Sequence, residues 1–262
     1  RTGSMTKNIY KKGNSGWYRE AFKKFEDQLN GQSTSEIHQH RKNALKSFQD
    51  LGYPTTKHEE WKYTNISPLM DQNFEISKPY EPGTLSKESV GEYQFAGLEN
   101  RTMVFVNGHF ASELSDLSGI SEKIQVLSLQ EAIENIPDQL SEHLTRYASI
   151  KDQSFISLNT AFVQDGTFIN IPDGISEEKP VHIIYLSRVN SNHFISFPRN
   201  LIITGRSSEL SIIESFNSID NGLYFTNSVC EIVLGENSKV ERIKRKRPSS
   251  LKAMAHSLKR YQ

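Results

Sequence analysis

The sequence predicts a mainly β protein, a β-solenoid preceded by an amino-terminal α-helical region. Two amphipathic stripes occupy the first fifty residues, and short apolar strands dominate after residue 102. A strand–turn–strand unit then recurs about every thirty residues. No coil of a solenoid buries its own apolar face, so successive coils stack to close the core.

Two helices are predicted between residues 15 and 51. Apolar side chains recur there at helical spacing in two stripes. Ser33 and Glu36 have the spacing of a capping box at the start of the second helix, and Gly52 with Pro54 ends it. The first stripe consists of Tyr18, Phe22, Phe25 and Leu29, and the second of Ile37, Ala44, Leu45, Phe48 and Leu51.

The repeat after residue 155 is the strongest pattern in the chain. Three apolar strands each end in a glycine, Gly174, Gly205 and Gly235, at intervals of 31 and 30 residues. A polar turn and a second strand follow each glycine. A β-sandwich is the alternative, since its strands also come about every 8–12 residues, but it gives no reason for this glycine spacing. The second strands align Val181 with Leu210 and Val240, and Ile184 with Ile213 and Ile243.

These patterns divide the chain into segments. The polar, proline-interrupted stretch 54–100 is expected to connect more than it packs. In the last segment, Ala253, Met254, Ser257 and Leu258 have the spacing of a short helix. The predicted segments are a remnant of an expression tag at 1–4, an amino-terminal helical region with an irregular linker at 5–100, a mixed α/β lead-in at 101–150, the β-helix core at 151–244, and an atypical tail at 245–262. A natural and a truncated carboxyl terminus both stay open for that tail.

Composition excludes several classes of protein. The 31 Lys and Arg balance the 31 Asp and Glu, which argues against nucleic acid as a partner. One cysteine forms no internal disulfide and builds no cysteine-rich metal site. The chain has no apolar run of about 18 residues and does not start with a signal peptide, so we expect a cytoplasmic protein with no membrane partner. The 35% hydrophobic content, low for a compact protein, suits the narrow core of a solenoid.

Catalytic motifs are absent from the sequence. It contains no G-x-x-x-x-G-K-[ST] phosphate loop, no G-x-G-x-x-G, no G-x-S-x-G and no H-E-x-x-H. We therefore expect no enzyme activity and assign no catalytic residue and no metal ligand. Cofactor-binding residues remain unknown at this stage.

Histidines in the first sixty residues are the first candidate ligands. His38 and His40 are two residues apart on a predicted helix, so they point away from each other and chelate a metal poorly. The sequence His58-Glu59-Glu60 offers ligands on a polar stretch, but nothing nearby sets a geometry. Both groups are interpreted as solvated surface.

Three further candidates lie in the repeat region. Cys230 shares strand parity with Ile232 and Leu234, which indicates a core position, although a redox or cluster role stays open. His182 alternates with apolar neighbours and is expected to point outward into solvent. The basic run 244–247 is interpreted as a solvated tail, with contact to nucleic acid or phosphate as the alternative.

Two stretches of the chain carry a family resemblance. The first joins Gly52-Tyr53-Pro54 to Glu60-Trp61-Lys62-Tyr63-Thr64. The second joins Leu158–Gly166 to Ile169–Gly174 and 179–183, and 235–241 adds to it. These stretches resemble the SufB/SufD family of the SUF iron–sulfur cluster assembly machinery, and the first favours the SufD branch of the family. The resemblance covers about residues 15–244.

The resemblance implies a right-handed parallel β-helix preceded by helices. It also implies a non-ATPase scaffold that pairs with a SufB-like subunit and a SufC-like ATPase. The iron–sulfur cluster would be handled by the assembled complex, so the chain alone is expected to bind no cofactor. Members of the family continue through more coils, and the interface residues associated with the family lie beyond this chain. An open end near Ile243 predicts self-association in isolation.

Two other functions stay open for a β-solenoid. One is a structural or adhesion protein. The other is a polysaccharide lyase or acyltransferase, for which a lyase would need clustered carboxylates that bind Ca²⁺. The carboxylates of the repeat strands are instead single and scattered, at Glu209, Glu214, Glu231 and Glu241.

Overall fold

The computed structural model describes residues 15–29, 35–67, 72, 74–189, 192–247 and 254–259. The chain divides into two compact units, one made of residues up to 73 together with 149–162, the other of residues 74–148 and 163 onward. Residues 1–4, for which the sequence predicts an expression-tag remnant, and Ser33 lie outside the described residues. The described α-helices are α1 Ser15–Glu26, α2 Glu36–Leu51, α3 Lys87–Gly91, α4 Leu129–Asn135, α5 Pro137–Ser141 and α6 Ser154–Ala161.

The first unit is a small helical unit with an aromatic core. The two predicted helices are confirmed as α1 and α2, and Ser35 caps α2 by accepting a hydrogen bond from the His38 N–H. Tyr18 packs edge-on against Phe48 at 5.1 Å and contacts Phe162 at 6.0 Å between ring centroids. The predicted apolar stripes therefore face this core.

The second unit contains two sheets. The first has the strand order β1-β7-β10-β8-β5-β4 with β12 also paired to β10, and the second has the order β11-β9-β6-β2-β3. All pairs are parallel except β4–β5 and β2–β3, which are antiparallel. The strands are β1 Glu75–Ile76, β2 Thr102–Val106, β3 His109–Phe110, β4 Gln125–Ser128, β5 Thr167–Ile171, β6 Val181–Ser187, β7 Phe194–Ser196, β8 Arg199–Thr204, β9 Glu209–Ser218, β10 Tyr224–Leu234, β11 Lys239–Arg247 and β12 Met254–Lys259.

The predicted fold class is wrong. Of the residues that the structure describes, about 28% are helical and 30% lie in strands, so the protein is mixed α/β. Its strands form two mixed sheets rather than a β-solenoid or right-handed parallel β-helix. The periodicity that suggested a solenoid reflects parallel pairing of strands that alternate between the two sheets along the chain. In the first sheet β8 pairs with β5 and β10, and in the second sheet β9 pairs with β6 and β11. Three copies of a repeat report which strands pair, but not the architecture that contains them. The two alternatives, a structural or adhesion protein and a polysaccharide lyase or acyltransferase, were based on a β-solenoid. Without that fold the sequence no longer supports them.

The predicted alignment of the second strands is correct between β9 and β11, but it is shifted by two residues between β6 and β9. Val240 pairs with Leu210, and Ile243 with Ile213, as predicted. Val181 pairs with Ile212 instead of Leu210. A shift of two residues keeps every side chain on the same face of the sheet, so the apolar pattern could not reveal it.

The turn glycines recur for two different reasons. At Gly235 an added Cβ would lie 2.5 Å from the carbonyl carbon of Gly205, so consecutive turns approach too closely for a side chain. Gly174 instead adopts φ 72°, in the left-handed region that glycine tolerates. The close approach explains the interval between Gly205 and Gly235.

The apolar core of the second unit lies between the two sheets. Ile169, Ile202 and Ile232 contribute from the first sheet, and Ile183 and Ile212 from the second. A second apolar cluster covers the opposite face of the second sheet, where Val90 and Leu114 pack with residues of β2 and β6. Residues 74–115 therefore pack on the sheet, in contrast to the expectation that stretch 54–100 mainly connects.

Two further observations concern the end of the described chain and its helices. Met254–Lys259 is a strand paired with β10, so the short helix predicted around Met254 is not observed. Among the helices that the structure describes, none has the length and apolar character needed to span a bilayer.

Candidate functional site

Polar and charged side chains interrupt the apolar core between the two sheets. We call this set the inter-sheet cluster; it consists of Tyr185, Asn200, Glu214, Cys230, Arg242 and Lys244. Strand alternation places them inside, because Glu214 follows Leu210 and Ile212 on the inner face of β9. Arg242 and Lys244 likewise follow the core residue Val240 on the inner face of β11.

Asn200 connects the neutral half of the cluster to its carboxylate. Its side-chain oxygen accepts hydrogen bonds from the Thr167 N–H and the Tyr185 hydroxyl, each at 2.9 Å. Its Nδ2 donates to Glu214 Oε1 at 2.7 Å. The Glu214 side chain is fully buried, so these bonds replace the water that its carboxylate has lost.

The two cationic side chains of the cluster have fewer of their hydrogen-bond donors paired. Arg242 donates to Glu214 through Nη2, and its side chain is 3% exposed. Its Nε and Nη1 are buried, and neither has a hydrogen-bond partner among the described residues. The Lys244 ammonium is likewise buried without a hydrogen-bond partner there, although it lies 4.3 Å from the ring centroid of Phe216.

Burial dominates the protonation behaviour of the cluster. It raises the pKa of the Cys230 thiol to about 12, although the charges of Arg242 and Lys244 act in the opposite direction. It lowers the pKa of Lys244 to about 8, against the attraction of Glu214. At neutral pH Cys230 is therefore a neutral thiol and Lys244 is still mainly cationic.

A second buried charged site lies on the opposite face of the first sheet. Glu231 accepts hydrogen bonds from the backbone N–H groups of Thr145, Tyr147 and Ala148 at 2.9–3.0 Å. Its Oε2 also accepts from Arg199 Nε and Nη2 at 3.0 and 2.8 Å. The site anchors the segment after α5 to the sheet, and we interpret it as structural.

The histidines near the start of the chain occupy different environments. His38 was expected on the surface but is fully buried, with Nε2 2.8 Å from Glu26 Oε1 and its ring stacked on Phe22. His40 is one-third exposed, beside Glu36. The apolar stripe that predicts this helix contains no polar residue, so it gives no signal that His38 lies on the buried face.

In the sequence His58-Glu59-Glu60, His58 directly precedes a short 3-10 helix, Glu59–Trp61. His58 Nδ1 accepts the Thr55 N–H at 3.0 Å, and the two glutamates are exposed, as expected for a polar surface. Within the described ranges, no three His, Cys, Asp or Glu side chains are grouped as metal ligands would be.

The candidates of the repeat region are placed differently from expectation in two of three cases. Cys230 is buried in the core, as predicted. His182 was expected in solvent but is buried, with Nε2 2.9 Å from Ser215 Oγ and its ring 4.8 Å from that of Phe95. The outer face of β6 is covered by residues 80–115, which a single strand pattern cannot reveal. The basic run was expected in solvent, but it continues β11 and brings Lys244 inside.

Sequence reasoning identifies Cys230 and Lys244 as candidates but misses the other members of the inter-sheet cluster and the Arg199–Glu231 site. In the sequence Glu214 and Glu231 are only scattered carboxylates, and no motif includes Arg199, Asn200 or Arg242. Strand parity was the available signal for Glu214 and Arg242, since each shares it with core residues of its own strand. For Glu231 and Arg199 the partners come from distant segments, and no local pattern indicates them.

Comparison with known proteins identifies the family. Residues 13–183 match the SufBD protein N-terminal region, and residues 187–259 match the SufBD core domain of SUF-system FeS cluster assembly. The chain is 26% identical over 229 residues to an iron–sulfur cluster assembly SufBD family protein of Synechocystis, covering 84% of this chain and 50% of the relative.

Two other relatives agree. The chain is 25% identical to the iron–sulfur cluster assembly protein SufD of Escherichia coli, over 76% of this chain and 44% of the relative. It is 22% identical to the chloroplastic protein ABCI7 of Arabidopsis thaliana, over 82% and 46%. The chain thus spans about half the length of these curated relatives. It belongs to the SufBD family of the SUF iron–sulfur cluster assembly system.

Proposed function

We propose that this protein acts as a SufD-like scaffold subunit in iron–sulfur cluster assembly, through protein–protein contacts with SufB-like and SufC-like subunits rather than as an enzyme. The match of the two SufBD regions to residues 13–183 and 187–259 carries this proposal. ATP hydrolysis would belong to the SufC-like partner.

The strand β11 is the partner surface that the geometry favours. It pairs with β9 on one side, and the described residues place no strand on its other side. Its outward face carries Ile243, which is 50% exposed between Arg242 and Lys244 in sequence. An open strand edge with an exposed apolar side chain favours addition of a strand from another chain.

Co-purification tests the scaffold role. The full-length protein is co-expressed with the SufB-like and SufC-like subunits of the same organism, and a tagged SufB-like subunit is captured. We expect the three to elute together in size-exclusion chromatography. Elution of this protein alone, with the other two associated, would contradict the proposal.

Self-association of the 262-residue chain tests the β11 edge separately. We propose that two copies pair through this edge when the partners are absent. Sedimentation equilibrium is expected to show a dimer that Ile243→Lys weakens and Leu234→Lys does not, since Leu234 is 44% exposed at the end of β10. A monomer at high protein concentration overturns the edge proposal but leaves the scaffold role to the co-purification experiment.

We propose further that the chain alone holds no iron–sulfur cluster and works in the cytoplasm. Cys230 supports the first point, because a buried thiol with a pKa of about 12 is a poor source of thiolate ligand. A single reduced cysteine suits a reducing compartment. Anaerobic incubation with iron and sulfide is expected to produce no cluster absorption in the isolated chain; a stable chromophore would contradict this.

A further inference from the structure

We propose that a small monovalent anion binds between the two sheets, held by Arg242 and Lys244. The observation behind it is a set of buried cationic donors that face no acceptor. Arg242 Nε and Nη1 and Lys244 Nζ are all excluded from solvent and make no hydrogen bond within the described part of the chain. Buried donors of charged groups without a partner are costly, and in native proteins they usually have one.

The strand register brings these donors to one place. In the β9–β11 ladder Arg242 lies opposite Ile212, and Lys244 lies opposite Glu214. The two side chains leave β11 on the same face, two residues apart, toward the core between the sheets. The side chain of Arg242 is 3% exposed, so its free Nε and Nη1 are directed into protein rather than into solvent.

The charges of the site call for one negative charge. Glu214 is the carboxylate that pairs with Arg242, and its other oxygen is already bonded to Asn200. Two cations thus face one carboxylate, which leaves one positive charge uncompensated. The ring of Phe216 offers Lys244 a weak cation–π contact, but no hydrogen-bond acceptor.

The neighbouring thiol does not supply that charge. Cys230 lies close enough for the charges of Arg242, Glu214 and Lys244 to act on it, yet burial keeps its pKa at about 12. The cations therefore do not serve to hold a thiolate at neutral pH. Because the donor atoms are closed to solvent, the missing partner is a compact ion rather than a large organic anion.

Bromide is the probe for the test. The 262-residue chain is melted in sodium bromide and, at the same ionic strength, in sodium gluconate, whose anion is too large for the site. We expect a higher melting temperature in bromide, and we expect Lys244→Met to abolish the difference. Lys239→Met, an exposed lysine on the same strand, is the matched control and should retain it.

Crystals grown in bromide locate the ion. An anomalous peak in contact with Arg242 Nε or Nη1 or with Lys244 Nζ is the expected result. Water alone at these atoms, a peak without any melting difference in solution, or a stabilisation by sulfate but not bromide would each overturn the proposal. Equal loss of the effect in Lys239→Met would overturn it too. Far-UV circular dichroism is used to check that Lys244→Met is folded. Arg242→Met provides a second variant at the same site.

Discussion

Arg199 and Glu231 form an ion pair with no solvent exposure on either side chain, joined by Nε at 3.0 Å and Nη2 at 2.8 Å to the same carboxylate oxygen. The same carboxylate also accepts hydrogen bonds from the backbone N–H groups of Thr145, Tyr147 and Ala148. A buried pair of this kind adds little over an apolar pair of the same volume, but it is costly to break on one side.

Replacement of Glu231 tests this pair. Glu231→Gln is expected to lower the free energy of unfolding by about 3–5 kcal/mol, because it leaves the Arg199 charge buried and uncompensated. The double variant with Arg199→Met should recover part of the loss, since it removes that charge as well. Urea denaturation at pH 7 measures both.

An exposed ion pair provides the control. Asp173 and Arg206 approach to 2.9 Å but are 55% and 72% exposed, so Asp173→Asn should lower the free energy of unfolding far less than Glu231→Gln does. If Glu231→Gln costs no more than Asp173→Asn, the buried pair does not anchor the 145–148 segment in the way described.

Lys244 makes stability rise with pH. Burial lowers its folded pKa to about 8 from 10.5, so between these values the unfolded chain binds more protons than the folded one. Lys244→Met should therefore be more stable than wild type by about 2 kcal/mol at pH 7, after allowance for partial exposure, and the gap should close by about pH 10.5.

Denaturant titrations of both proteins at pH 7, 9 and 10.5, in a bromide-free buffer, measure the gap. Lys239→Met, at an exposed position on the same strand, serves as control. A gap that stays constant across this range would mean that Lys244 is not destabilised by burial.

Elements with a strong local signal were predictable from sequence. The stripes of α1 and α2 lie at the observed positions, because 3.6-residue periodicity depends on local geometry. The strand pairing of β9 with β11 follows from a repeat whose turns meet at Gly205 and Gly235. The core position of Cys230 follows from strand parity alone.

Features that depend on distant segments were not predictable. His182 alternates with core residues, and a pattern of period two cannot tell a solvated outer face from one covered by residues 80–115. Glu231 is bonded to residues more than 80 positions away in sequence. The architecture was predicted wrongly for a similar reason. The antiparallel pairs β2–β3 and β4–β5 belong to the two sheets, but β2, β3 and β4 lie outside the repeat in the sequence.

His182 makes the fold sensitive to acid. Burial lowers its pKa to about 4 from 6.5, so the unfolded chain binds a proton first as pH falls. Wild type should lose about 2 kcal/mol at this site between pH 7 and pH 5. His182→Gln should lose that much less over the same interval, whatever its stability at pH 7.

Two other buried groups also contribute to the change in stability between pH 7 and pH 5. His109 also has a pKa lowered by burial to about 4, so some acid sensitivity should remain in His182→Gln. Burial raises the pKa of Asp165 to about 6, which acts in the opposite direction as pH falls. His40→Gln, at a partly exposed histidine, should follow wild type; an equal change in both variants would contradict the prediction for His182.

Gly235 tests the close approach of consecutive turns. Alanine there would place its Cβ 2.5 Å from the carbonyl carbon and 2.6 Å from the carbonyl oxygen of Gly205, and backbone atoms cannot move aside cheaply. Gly235→Ala should lower the free energy of unfolding by about 1–3 kcal/mol, the usual range for overpacking. Gly91→Ala is the matched control in the same unit, because nothing lies within 4 Å of its Cβ position, and it should stay near wild type. Urea denaturation at pH 7 compares the three proteins. Equal stability of Gly235→Ala and Gly91→Ala would show that the thirty-residue glycine interval has a cause other than turn-to-turn contact.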